Sequence, residues 1–158
     1  MIQRVQSIFL FLVAVAMGIT LGMELWQQTV PSSGESYRLT AFFLEQFDTS
    51  GAIISTTSYW YIGTIAAFVG LLAIISIFQY RNRARQMMIN MVNSLLMVGL
   101  VAIVFLTTNG VNAELALEDS GTYMIGFWAV LIAMVFNMLA NRFIRKDEAL
   151  IKSVDRIR

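Results

Sequence analysis

Apolar residues fill four long stretches of this chain, and polar residues are concentrated in the segments between them. No charged residue occurs at positions 5–23, 49–80, 86–113 or 120–141. A helix that crosses the hydrocarbon core of a bilayer needs about 20 mainly apolar residues. Apolarity on all sides, rather than along one stripe, is typical of a helix surrounded by lipid. We therefore predict four membrane spans, at Ile8–Leu25, Tyr59–Tyr80, Met87–Thr107 and Thr122–Asn141.

The first span also has features of a cleaved signal peptide. Arg4 precedes the apolar run, and Ala14-Val15-Ala16 is similar to a small-residue cleavage site. Cleavage there would leave an apolar region of only Ile8–Val13, whereas the apolar region of a signal peptide usually has about 7–15 residues. The apolar stretch also continues well past that point. We therefore interpret the first span as a signal anchor.

Basic and acidic residues are sorted between alternate connections of the predicted spans. Ten of the eleven Lys and Arg residues lie in the N-terminal flank, the connection between spans two and three, and the C-terminal tail. The other side carries seven of the ten acidic residues and only Arg38 among the bases. By the positive-inside rule, both termini are expected in the cytoplasm. The formal net charge of +1 hides this separation.

These patterns predict an all-α integral membrane fold, a four-helix bundle that forms one domain over residues 1–158. An outer loop at 26–58 is long enough for further structure, and a tail at 142–158 continues the fourth helix. Strand-like runs at Tyr37–Phe43 and Ala52–Thr57 flank the turn sequence Asp48–Gly51, which predicts a small β-hairpin. Phe42, Phe43 and Phe47 also fit one side of a short helix, and that alternative stays open.

The composition restricts the chemistry that the chain can perform. It contains no Cys and no His, which excludes thiol chemistry, imidazole catalysis and His- or Cys-ligated metals. Charged residues inside a membrane mark proton relays and substrate sites, and the predicted spans contain none. No phosphate-binding glycine loop or metalloprotease motif occurs. We expect a protein that is not an enzyme, with no cofactor, no metal and no nucleic-acid partner.

Small and amide residues within the spans are candidates for interhelical packing. Ala14, Gly18 and Gly22 repeat every four residues, and such small residues let two helices approach closely. The helices that meet there belong either to this chain or to another subunit, which includes a second copy of the chain. Asn93 and Asn137 lie at similar depths in spans three and four, so we expect a hydrogen bond between them.

The tail from residue 142 has helical periodicity. One apolar stripe follows from the spacing of its aliphatic residues, Leu150, Ile151, Val154 and Ile157. A helix with a narrow apolar face and a basic polar face can lie on anionic lipid or dock a partner. The alternative is a solvated extension that packs on its own basic connection.

Three segments of the sequence carry a resemblance to a known family: Met1–Ser7, Phe78–Gln86 and Ile144–Arg158. Together they resemble a family of uncharacterised small four-helix inner-membrane proteins of Bacteroidota. The resemblance implies the four-span topology and a Gram-negative inner membrane, and it brings no catalytic or binding residues. If its cytoplasmic segments are functional, the candidate contact residues for a partner or lipid are charged: Arg81, Arg83, Arg85, Arg145, Lys146, Asp147, Glu148, Asp155 and Arg156. Their alternative role is to anchor the protein to lipid and close the inner face by ion pairs.

The leading functional hypothesis is a non-catalytic membrane subunit of a larger assembly, of the envelope-biogenesis or protein-export type. Its partners would be membrane lipid and other integral membrane proteins. Two other hypotheses remain. One is a homo-oligomeric channel or small-solute carrier, and the other is a lipid-interacting membrane protein.

Overall fold

The computed structural model describes residues 3–80, 82–117 and 119–155, with side chains at 5–80, 82–117 and 119–150. Four helices occur in these ranges: α1 (Gln3–Gly22), α2 (Trp60–Phe78), α3 (Arg83–Glu114) and α4 (Ile125–Asp155). Five strands accompany them: β1 (Trp26–Thr29), β2 (Ser36–Leu39), β3 (Phe43–Phe47), β4 (Ile53–Ser58) and β5 (Thr122–Tyr123). By length and composition, all four helices can cross a membrane.

The prediction of an all-α fold is wrong, because the strands form one antiparallel sheet in the order β4-β3-β2-β1-β5. The run Tyr37–Phe43, expected as one strand, is divided between β2 and β3. Thr40 Oγ1 accepts a hydrogen bond from the Phe43 amide at 3.0 Å and stabilises the turn between them. A hairpin does join β3 to β4. The helical alternative for Phe43 and Phe47 is wrong, since both lie in β3.

Trp26 joins the sheet to the connection between α3 and α4. Its side chain is 0% exposed, and its indole Nε1 donates to the Ser120 carbonyl at 2.9 Å. Gly121 has φ +70°, and a Cβ there would lie 2.7 Å from the same indole nitrogen. This position therefore favours glycine for both its backbone angle and its close packing. Trp60 and Trp128, in contrast, are exposed.

The helices pack around a core of small and aliphatic side chains. α1 lies between α2 and α4, and Phe9 of α1 stacks on Phe143 of α4 with ring centroids 5.5 Å apart. Gly70 brings α2 close to α1, since a Cβ there would lie 3.3 Å from the Met17 Cβ. Gly18 and Gly22 do not serve the packing expected of them within this chain. Both are exposed, and an added Cβ would meet no described atom within 4 Å.

Two helices extend well beyond the predicted spans. α3 has 32 residues and α4 has 31, which correspond to roughly 45–50 Å each. The last turns of α3, past Thr107, pack against the sheet through Val111. Thr108 Oγ1 and the Tyr123 hydroxyl lie 3.1 Å apart, which joins α3 to β5. We call this end of the bundle the sheet end. The opposite end, where α2 meets α3 and α4 enters the tail, is the basic end.

Candidate functional site

Amide side chains converge inside the basic end. Gln86, Asn90 and Asn93 are spaced four and three residues apart on α3, which places them on one helix face. Asn137 comes from α4, and all four side chains are 0% exposed. We call these four residues the amide cluster. Asn82 fixes the start of α3, because its Oδ1 accepts a hydrogen bond from the Arg85 amide at 3.1 Å.

Hydrogen bonds from the amide cluster join three helices. Asn137 Nδ2 donates at 2.8 Å to both the Asn90 carbonyl and Ser94 Oγ of α3. Ser76 of α2 donates from Oγ to Asn90 Oδ1 at 2.6 Å. Gln86 Nε2 donates to the Ser76 carbonyl at 3.0 Å. These hydrogen bonds hold the end of α2 against the start of α3.

The expected hydrogen bond between Asn93 and Asn137 does not form. Asn137 bonds Asn90 and Ser94 instead, and neither polar atom of the Asn93 side chain has a hydrogen-bond partner. Ten buried side-chain polar atoms lack such a partner in the described part of the chain, and eight of them lie at the basic end. Leaving a buried donor or acceptor unsatisfied costs about 1–3 kcal/mol. The basic end therefore holds spare hydrogen-bonding capacity.

The predicted charged residues are divided between an ion pair and an exposed surface. Arg83 Nη2 lies 3.8 Å from Asp147 Oδ2, and both side chains are mostly buried. This pair joins α3 to α4. For these two residues it agrees with the alternative role given above, in which the charged residues close the inner face by ion pairs. Arg85, Arg145 and Lys146 are exposed and Glu148 is half-buried. Three predicted residues lie partly or wholly outside the description: Arg81, Arg156 and the side chain of Asp155.

A groove between α3 and α4 lies next to the amide cluster. Its volume is about 680 Å³. It is lined mainly by one face of α4, with Ser94 from α3: Leu131, Met134, Val135, Met138, Asn141, Arg142 and Arg145. Among these lining residues, only Arg145 is a contact residue predicted from the sequence. The periodicity at 131, 134, 135 and 138 followed by 141, 142 and 145 was the signal that could have identified the groove.

The sheet end presents a different feature, the strand β4 at the edge of the sheet. All six of its residues are exposed. Its sequence Ile53–Ser58 contains no charged residue and no Pro. The one basic residue of the sheet, Arg38 in β2, is neutralised by Glu24, with Nε and Oε1 3.0 Å apart, and its guanidinium lies 4.7 Å above the Phe47 ring.

Two side chains of the sheet have displaced pKa values. Burial raises the pKa of Tyr37 above its ordinary value of 10.0, and the carboxylates of Glu35 and Glu114 add to the shift. The pKa of Asp48 is lowered from 3.8, first by the Ser50 hydroxyl and then by the Ala52 amide, which both donate to its carboxylate. Neither group is placed for catalysis. Within the described residues, no three acidic side chains lie close enough together to hold a metal ion.

A family model described as "Domain of unknown function (DUF4293)" matches residues 2–157. The chain belongs to this family. Its expected membership of an uncharacterised family is thereby confirmed over nearly the whole sequence. A search of the curated proteins finds no match. DUF4293 is defined without an activity, so membership of the family assigns no function to this chain.

Proposed function

We propose that this DUF4293 protein crosses a membrane four times, with both termini in the cytoplasm, as a non-catalytic subunit that holds a partner protein at β4. Four helices of sufficient length and apolarity support the membrane location. The sorting of charge supports the orientation, because the described bases lie at the basic end except for Arg38. We also propose that the membrane is a bacterial inner membrane, as the family resemblance implies.

The observation that carries this proposal is the exposed strand β4. An edge strand presents unpaired backbone N–H and C=O groups, and proteins usually protect such edges with charges, Pro or a covering segment. β4 has neither charge nor Pro, and Ile53 and Ile54 on it are 57% and 53% exposed. An extended segment of another protein can add to such an edge through main-chain hydrogen bonds.

The position of β4 in the fold favours a partner that is itself held at the membrane. β4 leads through Tyr59 directly into α2, which begins with the exposed Trp60. Phe43, opposite Ser58 in the sheet, is also exposed. A strand added to β4 would therefore lie just above the point at which α2 enters the bilayer. An extracytoplasmic segment of another membrane protein fits this position.

The channel hypothesis has less support. A pore lined by several chains needs a polar stripe on an outward helix face. Ser76, Asn90 and Asn137 instead lie inside the chain, and their hydrogen bonds join its own helices. The outward face of α3 carries large apolar side chains at Met88, Met91 and Leu95.

Site-specific photocrosslinking in native membranes tests the proposal. A benzophenone side chain at Thr56, in the middle of β4, is expected to yield one discrete crosslinked product. The same group at Thr49, in the exposed turn between β3 and β4, is the matched control and is expected to yield much less. Equal crosslinking at the two positions, or none at Thr56, contradicts a partner at the strand edge.

A further inference from the structure

The groove between α3 and α4 changes in chemical character along its length. Leu131, Met134, Val135 and Met138 form an apolar face that covers about 10 Å of helix axis. Asn141, Arg142 and Arg145 continue the same face toward the basic end. An apolar segment is thus followed directly by a polar, positively charged one, which is the order of groups in a phospholipid that lies in one leaflet of a bilayer.

The positive charge at the end of the groove is not neutralised by any carboxylate among the described side chains. In the part of the chain whose side chains are described, no carboxylate lies within ion-pair distance of Arg142 or Arg145. Asp147, the acidic residue nearest in sequence, is directed to Arg83 instead. Two guanidinium groups three residues apart on one helix face can contact the same phosphate, and such charge-assisted hydrogen bonds are strong.

Buried polar atoms adjoin these arginines. Asn141 Oδ1 is buried without a hydrogen-bond partner. Ser94, on the opposite wall, accepts a hydrogen bond from Asn137 and so connects the groove to the amide cluster.

We infer that this groove binds one anionic phospholipid. Arg142 and Arg145 contact its phosphate, and one acyl chain lies along the apolar face of α4. Val135 and Met138 are 49% and 63% exposed, so the groove is open toward the surrounding bilayer. A lipid can enter it sideways and leave its second chain in the membrane. Basic pockets between membrane helices are known sites for anionic headgroups.

Charge complementarity favours a phospholipid over a transmembrane helix of another protein. A helix that filled the groove would have to supply a carboxylate opposite Arg142 and Arg145 in order to neutralise them. The phosphate of a phospholipid lies at the depth of these arginines in any leaflet. The inference rests on the proposed membrane location, but it requires no protein bound to β4.

Native mass spectrometry of the purified, delipidated full chain provides the test. The probes are dioleoyl phosphatidylglycerol, which is anionic, and dioleoyl phosphatidylcholine, which has no net charge and no hydrogen-bond donor in its headgroup. We expect one phosphatidylglycerol per chain at concentrations where phosphatidylcholine does not bind. The double variant Arg142→Gln/Arg145→Gln is expected to lower the bound fraction by about tenfold, since both charge-assisted contacts are lost.

The matched control is Arg85→Gln/Lys146→Gln, which removes two exposed charges from the same end but outside the groove. We expect it to change binding by less than about twofold, because neither side chain lines the groove and exposed charges without a direct contact contribute little. Equal losses in the two double variants would overturn the inference, as they would indicate a general attraction to the basic end. Equal binding of phosphatidylcholine would overturn the assignment of an anionic lipid.

A second pair of variants tests the apolar half of the groove without changing its charge. Val135→Trp fills the apolar face, and Ile132→Trp places the same bulk on the adjacent face of α4, where Ile132 is 51% exposed. We expect Val135→Trp to lose phosphatidylglycerol and Ile132→Trp to keep it. Retention of the lipid by Val135→Trp, in a sample with the thermal stability of the wild type, would overturn the site.

Discussion

The two ends of the helix bundle keep their spare hydrogen-bonding groups in different places. At the sheet end, Asn112 Oδ1 is unpartnered, but Thr20 Oγ1 donates to the Gly126 carbonyl at 3.0 Å and the Trp26 indole donates to the Ser120 carbonyl at 2.9 Å. At the basic end, every member of the amide cluster retains at least one unpartnered atom. The other spare groups of the sheet end are instead on the outside, along the backbone of β4.

This difference indicates what each end is suited to bind. A row of backbone groups on an edge strand matches another extended backbone, so the sheet end fits a protein segment. Two exposed arginines at the end of an apolar groove match a compact polar group that carries negative charge, so the basic end fits a lipid headgroup. One chain can therefore take a protein partner and a lipid at opposite ends of its helices.

The largest expected effect on stability comes from the buried Trp26 side chain at the sheet end. Trp26→Ala should lower the free energy of unfolding by about 3–5 kcal/mol, because it removes a fully buried side chain and leaves a cavity. Thermal unfolding in mild detergent measures the change. The control Trp128→Ala, at a 55% exposed position of α4, should change stability by less than about 0.5 kcal/mol. Similar losses in both variants would contradict the structural role given to Trp26.

A smaller effect contrasts satisfied and unsatisfied amides within the basic end. Asn137→Leu removes two interhelical hydrogen bonds and should cost about 1 kcal/mol. Asn93→Leu removes two buried atoms that have no partner, so it should leave stability unchanged or raise it. Both are read from the same unfolding experiment. A greater loss from Asn93→Leu than from Asn137→Leu would mean that the hydrogen bonds are assigned to the wrong amide.

The smallest effect concerns the turn at Asp48, between β3 and β4. Hydrogen bonds to the ionised carboxylate lower its pKa, so they stabilise the turn above the ordinary pKa of 3.8 and are lost as the pH falls through the lowered value. Faster amide hydrogen exchange at Ser50 and Ala52 in acid, beyond the intrinsic pH dependence, would report the loss. Asp48→Asn should show no such transition, whereas a transition that persists in the variant would contradict this cause.

Charge and hydropathy were sufficient to predict the helices but not the sheet. The four spans stand out because every residue type in them is compatible with lipid. β1 and β5 could not be found in the same way, because Trp26 pairs with Tyr123 from almost the other end of the chain. Two-residue strands have no periodicity of their own, and β5 exists only because β1 lies beside it.

The sequence was likewise sufficient to predict some of the candidate site residues but not their contacts. The importance of Asn137 followed from an isolated amide in an apolar span, and only its partner was wrong. Gly18 and Gly22 make no close approach within this chain, where Gly63, Gly70 and Gly126 do, because helix-packing spacing does not reveal which face is turned inward; the alternative of packing against another subunit stays a prediction. The α4 face of the groove has a periodic pattern in the sequence, but the width of the groove depends on how far α3 and α4 separate, which no local pattern in either helix determines.

The size of the protein extracted from native membranes in mild detergent tests the central claim most directly. Chromatography with light scattering compares the wild type with Thr56→Lys, which places a charge on β4, and with Thr49→Lys as the control in the adjacent turn. We expect the wild type and Thr49→Lys to elute with a stoichiometric second protein, and Thr56→Lys as a single 17.8 kDa chain with bound detergent. A wild-type protein that elutes alone, or only as multiples of itself, would contradict a subunit that holds a partner at its strand edge.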